Sequence, residues 1–152
     1  MEKTSEKLIS ENRKARHEYF LESFYEAGIE LTGTEIKSIR KGQVQFKDAY
    51  IDIDKGEAWI LGMHISPYDH GNLFNHDETR DRKLLLHKDE IRKLDEKVKI
   101  KGYTLVPTKM YLKNGRAKLE IALARGKELH DKRETEKLRD AKREIEKAEK
   151  NH

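Results

Sequence analysis

The pair Asn114-Gly115 constrains this chain more than any other feature. Both residues tolerate positive φ, which the two central positions of a type I′ turn require. The runs on either side, residues 103–112 and 116–124, read as strands. In the second run Ala117, Leu119, Ile121 and Leu123 share one face and Lys118 and Glu120 the other, a period of two. Pro107 lies within the first run. A proline cannot donate to a ladder, so an edge position or a bulge is expected there.

An earlier hairpin has the same logic. Residues 48–53 alternate, Asp54-Lys55-Gly56 turns, and residues 57–65 run apolar with β-branched residues and Trp59. Residues 17–24, with Tyr19 and Leu21 on one face, and residues 84–86 read as further strands. Two helices interrupt them. Thr32-Gly33-Thr34-Glu35 fits a capping box, with Ile36 and Ile39 turned inward and Gly42 as the stop. Residues 88–99 carry Ile91, Leu94 and Val98 at helical spacing. Short strands without a βαβ rhythm predict a mainly β fold: an OB-like (oligonucleotide-binding) antiparallel β-barrel with flanking short helices.

The barrel ends where the chain changes character. Residues 126–152 hold nine Lys or Arg and eight Asp or Glu, with no aromatic residue and no Pro. We therefore expect a flexible N-terminal arm over residues 1–11, a barrel over 12–125, and a charged tail over 126–152 that is disordered when free. Leu138, Ala141, Ile145 and Ala148 give the tail a thin helical stripe flanked by Arg139, Lys142 and Arg143. Isolated helices of this length are marginal in water, so the tail is expected to fold on a partner.

Composition excludes several functions. With no cysteine, disulfides, thiol catalysis and Cys-ligated metals are ruled out. Residues 1–11 lack the apolar run of a signal peptide, and no apolar run is long enough to span a membrane. A soluble cytoplasmic protein is expected, with no membrane partner. There is no glycine-rich phosphate loop, and Ser10, Ser23, Ser38 and Ser66 lack any nucleophile-elbow context, so an enzyme is not expected. The formal charge is +4, with a pI near 9.1, which suits a polyanionic partner.

Three basic clusters sharpen that reading. Asn12, Arg13, Lys14, Arg16 and His17 precede an aromatic-rich strand, where cations can pair with phosphate and rings can stack on bases. Lys37, Arg40 and Lys41 lie on the first helix, and Arg80, Arg82 and Lys83 stand before the triple leucine. Together they resemble a polyanion surface. Glu26, beside Tyr25 and Gly28, either caps a turn or accepts hydrogen bonds from a base or ribose. His64, His70 and His76, with Asp69, Asp77 and Asp81, suggest a metal site, but histidines six apart match neither a helical pair nor a finger. The alternative is a polar loop making hydrogen bonds or RNA contacts. No metal and no cofactor are expected. Two other readings of the chain stand beside a structured-RNA binder: a generic single-strand RNA module, and a metal-dependent nuclease built on the residue 64–81 loop.

Several stretches in one order resemble the SsrA-binding protein family, also called small protein B: Asn12-Arg13-Lys14-Ala15-Arg16-His17-Glu18-Tyr19, Glu26-Ala27-Gly28-Ile29, Gly33-Thr34-Glu35-Ile36-Lys37-Ser38-Ile39-Arg40, Ile65-Ser66-Pro67-Tyr68, Arg80-Asp81-Arg82-Lys83-Leu84-Leu85-Leu86, Gly126-Lys127 and His130-Asp131-Lys132-Arg133. The likeness covers residues 12 to about 144. Two positions depart from it: Glu78, where the family usually has Pro, and Glu128, where a second basic residue is common. The resemblance implies a barrel that binds the tRNA-like domain of transfer-messenger RNA, which rescues ribosomes stalled on messages without a stop codon. It implies RNA contacts at Asn12, Glu26 and Leu85. It also implies a tail that enters the empty message channel near the decoding centre of the small-subunit rRNA. The matching tail residues are Lys127, His130, Asp131, Lys132, Arg133, Arg139, Asp140 and Arg143. His130 is expected to stack on a decoding-centre base, and the chain is expected to act as a monomer.

Overall fold

The computed structural model describes residues 5–68, 75–100 and 102–127. Its elements are β1 (Glu6–Glu11), α1 (Arg13–Glu18), β2 (Tyr19–Ile29), α2 (Gly33–Arg40), β3 (Val44–Gln45), β4 (Tyr50–Asp54), β5 (Glu57–Leu61), β6 (His64–Ile65), β7 (Arg82–Leu85), α3 (Lys88–Val98), β8 (Tyr103–Lys113) and β9 (Arg116–Gly126). Asn114 and Gly115 take φ of 51° and 81°, and Lys113 pairs with Arg116, so the hairpin forms in the expected register. Lys55 and Gly56, also at positive φ, turn β4 into β5.

The sheet closes on itself. β8 pairs with β4, β4 with β5, β5 with β7, β7 with β2, β2 with β9, and β9 returns to β8, with every pairing antiparallel. This is the expected mainly β barrel. Closure leaves β1, paired to β8 alone among the described residues, as the one edge of this sheet. Inward residues of alternating strands fill the barrel: Ile51, Ile60, Leu84, Leu105, Met110, Leu119, Ile121 and Leu123 are all buried. Ile39 of α2 and Leu94 of α3 join the same cluster. The capping box at Thr32 forms: Thr32 N donates to Glu35 Oε1 at 2.8 Å, and Glu35 N donates to Thr32 Oγ1 at 3.3 Å. Among the described residues no helix is long and apolar enough to cross a membrane.

Two expectations need correction. The first is the arm. Glu6–Glu11 is not free chain but strand β1, paired to the C-terminal half of β8. The second is the start of the next strand. Residues 13–18 form helix α1, and the strand begins only at Tyr19. Arg13–Glu18 contains no β-branched residue, and Asn12 caps it by accepting from Ala15 N at 3.2 Å. The bulge expected at Pro107 forms: the β8–β9 register slips between Pro107 and Lys109. The bulge exposes carbonyls that Asn12 takes up: its Nδ2 donates to Pro107 O and its backbone N to Thr108 O, both at 2.8 Å. The strand expected at 84–86 is β7, Arg82–Leu85.

Helix α1 lies against the outside of the barrel. Ala15 packs with Val106 and Ala124, and Tyr19 and Leu21 lean on the same cluster. Strand β9 is therefore buried on both faces at this end, which explains why Ala124 is buried on the face opposite Leu123. The expected tail lies outside the described residues apart from Gly126 and Lys127.

Candidate nucleic-acid interface

A register row crosses the outside of the barrel. Leu8 pairs with Tyr111, Tyr111 with Lys118, Lys118 with Gly28, and Gly28 with Leu85. Cross-strand partners point to the same side of a sheet, so these positions line one outer face. Leu8 and Leu85 are each about half exposed, at 53% and 50%. Gly28 has no side chain to stand between Lys118 and Leu85. A Cβ there would meet Leu85 Cβ at 3.2 Å, so the glycine lets Leu85 lie close to β2.

Next to this row is a cleft of about 440 Å³ lined by Gly28, Ile36, Arg40, Leu85, Arg116 and Lys118, among others. Its lining mixes apolar residues, such as Ile36 and Leu85, with the cations Arg40, Arg116 and Lys118, a combination that suits bases and phosphates together. The fold thus brings together two expected residues, Arg40 and Leu85, with Lys118 and Arg116, which no sequence motif singles out. A signal for them exists all the same: an Asn-Gly turn fixes the hairpin register, and that register puts Tyr111 opposite Lys118 and Lys113 opposite Arg116.

Glu26 stands on the same outer face, two residues before Gly28 along β2. The Tyr111 hydroxyl donates to its Oε1, and Lys113 Nζ lies 3.4 Å from both carboxylate oxygens. The tyrosine's hydrogen bond is the main reason the Glu26 carboxyl is held below its usual range; burial opposes it, and Lys113 and Lys118 add to the lowering. Burial, and then Glu26, pushes the Tyr111 phenol well above its usual value, so it stays a donor. The expectation of Glu26 as a turn cap does not hold, because it lies within a strand.

The other expected contacts divide. Lys37 lies 5.3 Å from the Tyr68 ring, which Lys41 also approaches at 4.9 Å. Asn75 pins Tyr68 by accepting from its N at 2.9 Å and donating to its O at 2.7 Å. Arg13, Lys14 and Arg16 are exposed on α1, and Lys14 pairs with Asp48 at 2.6 Å across a separate pocket of about 180 Å³. Those cations do not line the Arg40–Lys118 cleft. Lys83 is partly exposed and 3.7 Å from Glu57. Lys127 lies 5.1 Å from the Phe20 ring, as does Arg125. His130, Asp131, Lys132, Arg133, Arg139, Asp140 and Arg143 lie outside the described residues.

Two of the expected contact residues are buried in the fold. Arg82 is fully buried, not part of a basic surface. Strand alternation turns Arg82 and Leu84 inward, and the guanidinium meets Glu35: Arg82 Nε donates to Oε2 at 2.5 Å, and its other nitrogens reach the carbonyls of Met63, Asp77, Glu78 and Arg80. Arg80 adds a two-point contact to the same carboxylate, at 2.6 and 3.0 Å. Burial pushes the Glu35 carboxyl up, but bonds from Arg80, Thr32 and Arg82 outweigh it and the net shift is down. Asn12 is also buried, and both ends of its amide are used inside the fold, so it builds the α1–β8 junction.

The histidines of the residue 64–81 loop are structural where described. His64 Nε2 pairs with Glu78 at 2.7 Å. His76 bridges Thr34 Oγ1, at 2.9 Å, and the carbonyl of Ile65, at 2.8 Å. Glu78 fits the loop in its own way, since its backbone carbonyl accepts from Ile65 N and its carboxylate meets His64. His70 and Asp69 lie outside the described residues, and among the described residues no His, Cys, Asp and Glu group could hold a metal ion.

A closed antiparallel barrel with a cationic, partly apolar cleft on its outer face defines an OB-like scaffold of the nucleic-acid-binding kind. The chain belongs to the SmpB protein family, whose model matches residues 9–151. It is 58% identical over 146 residues to an SsrA-binding protein of Caldanaerobacter subterraneus subsp. tengcongensis, covering 96% of this chain and 92% of that one. To an SsrA-binding protein of Bacillus subtilis it is 56% identical over 148 residues, 97% of this chain and 95% of that one. A chain from the solved structure "tmRNA-SmpB: a journey to the center of the bacterial ribosome" superposes with a TM-score of 0.68 at 47% identity, covering 82% of this chain and 92% of that chain.

Proposed function

We propose that this chain binds the tRNA-like domain of transfer-messenger RNA and delivers it to stalled ribosomes in the cytoplasm, acting as a binding protein and not as an enzyme. The observation that carries this is identity of 56–58% to SsrA-binding proteins across nearly the whole chain. The barrel supports it physically. A rigid outer face with a cationic cleft reads a folded RNA by shape and backbone, while an acceptor such as Glu26 meets donors on bases or ribose.

The tail is assigned the second step. Residues Lys127, Lys132, Arg133, Arg139 and Arg143 supply cations for rRNA phosphates where no message occupies the channel. Contacts made there offset the entropy of ordering the segment, so an occupied channel rejects it and the tail acts as a vacancy sensor. His130 stacks on a decoding-centre base in this scheme.

Truncation after Gly126 tests the division. RNA binding should be retained and rescue of stalled ribosomes lost. Loss of both, or retention of both, refutes the two-part scheme. Competition between a tRNA-shaped RNA and a polypyrimidine strand tests the choice of RNA, and preference for the latter would point to a generic single-strand module. Removing Arg13, Lys14 and Arg16 together should flatten the plot of log K against log salt by about 0.7–0.9 for each phosphate no longer paired. An unchanged slope would exclude α1 from the interface.

A further inference from the structure

We propose that Tyr111 is a positioning residue for the Glu26 carboxylate, fixing it as an outward-facing hydrogen-bond acceptor for the RNA. The inference rests on the RNA-binding reading and names a residue that works through another.

A carboxylate on a face meant for a polyanion is repelled by phosphate. Its productive contacts with RNA are therefore donors: the ribose 2′-hydroxyl and the amino and imino hydrogens of bases. For that task it must stay ionised and be aimed before the RNA arrives, and the register provides both. Glu26 pairs with Glu120 on β9, and Lys118, two residues earlier on β9, pairs with Tyr111 on β8. The tyrosine hydroxyl thus reaches across β9 to bond Glu26 on β2, and Tyr111 itself is buried. A buried ring has little freedom, so the bond it makes sets the direction of the more exposed partner.

The charges around the pair are consistent with this role. Lys113, from β8, is near both Glu26 oxygens and Lys118, from β9, adds a second positive charge. Glu120, facing Glu26 across the ladder, is tied by Thr108 Oγ1 at 2.6 Å. On β1, Glu6 is paired in register with Lys113. Lys109 Nζ lies 5.4 Å from the Tyr111 ring. The phenol is raised by burial and Glu26, and the carboxyl is lowered by the Tyr111 bond, so both shifts favour the donor and acceptor roles that the geometry shows.

The test is a cycle on the full chain with a tRNA-like RNA as probe: unaltered, Tyr111→Phe, Glu26→Gln and the double variant. Tyr111→Phe should weaken binding about three- to tenfold when Glu26 is present and by nothing further when it is combined with Glu26→Gln. The deficit should grow as pH falls towards about 5, because a carboxyl without the phenol protonates more easily. In the free protein, carbon-detected titration of the Glu26 carboxyl should show its midpoint move up in Tyr111→Phe. Equal losses with and without Glu26, no loss at all, or an unmoved midpoint overturn the proposal. An unaltered chain that ignores the RNA overturns the functional reading instead.

Discussion

Glu35 and Glu26 are both glutamates held below their usual range, and they do opposite work. Glu35 is fully buried between Arg80, Arg82 and the Thr32 backbone, and it ties α2 to the start of β7. Glu26 is more exposed, held by Tyr111 and flanked by Lys113. The surroundings of each carboxylate, not its residue type, decide its role. Inside, both oxygens meet protein donors, so the charge is used up in holding the fold. Outside, Tyr111 holds one oxygen and Lys113 lies at the longer distance of 3.4 Å from both, and the group still faces solvent, where a partner can reach it. The same division separates Arg82 from Arg40: one guanidinium is enclosed by carbonyls and Glu35, and the other rims the cleft.

The sharpest way to break this comparison is Glu35→Gln. Breaking a buried pair by removing one partner costs about 3–5 kcal/mol, so urea unfolding should shift by that order, while the same change at Glu26 should leave stability nearly unchanged. The pH dependence follows from the sign of the shift. The folded Glu35 value is lowered, so its contribution is present in full above the ordinary glutamate value of about 4.3 and is lost as pH falls through the folded value. Stability of Glu35→Gln should therefore change less than that of the unaltered chain over the acid limb. Equal limbs would show that Glu35 is not the group responsible.

Asn12→Ala comes next. It removes the α1 cap and a donor to the Pro107 bulge, a loss of about 1–2 kcal/mol measurable by thermal or urea unfolding. If RNA binding fell with no loss of stability, Asn12 would be a contact and not a joint. The smallest stability effects belong to the cleft. Arg40→Ala and Lys118→Ala should each stay within about 0.5 kcal/mol in unfolding, yet each should lower the salt slope of RNA binding by about 0.7–0.9. Unchanged slopes would place the RNA elsewhere on the barrel.

Much of the fold is legible in the residues because its signals are local. Asn114-Gly115 dictates its turn from two residues, Thr32-Gly33-Thr34-Glu35 caps its helix from four, and Ile91 and Leu94 announce the buried side of α3. The helix after Asn12 is hidden from such a reading, because Tyr19 and Leu21 alternate whether or not a helix precedes them. What makes Asn12 a helix cap and a joint is the bulge at Pro107, 95 positions away in sequence. The candidate site divides in the same way: Arg40 and Leu85 stand in recognisable stretches, whereas Arg116 and Lys118 gain their place only from the pairing of β9 with its neighbours.

By itself, the chain's residue order determined the hairpins and a mainly β architecture with a polar tail, since turn chemistry and period-two alternation act over a few residues. Only the tertiary structure decided which charges face inward. Arg82 and Lys83 are neighbours of the same sign, and strand alternation together with a carboxylate from α2 sends one into the core and leaves the other outside. The gathering of Arg40, Leu85, Arg116 and Lys118 around one cleft, with Glu26 and Tyr111 beside it, likewise exists only once the strands are paired. Pairing sets which distant residues share a face, and no short window of sequence carries that information.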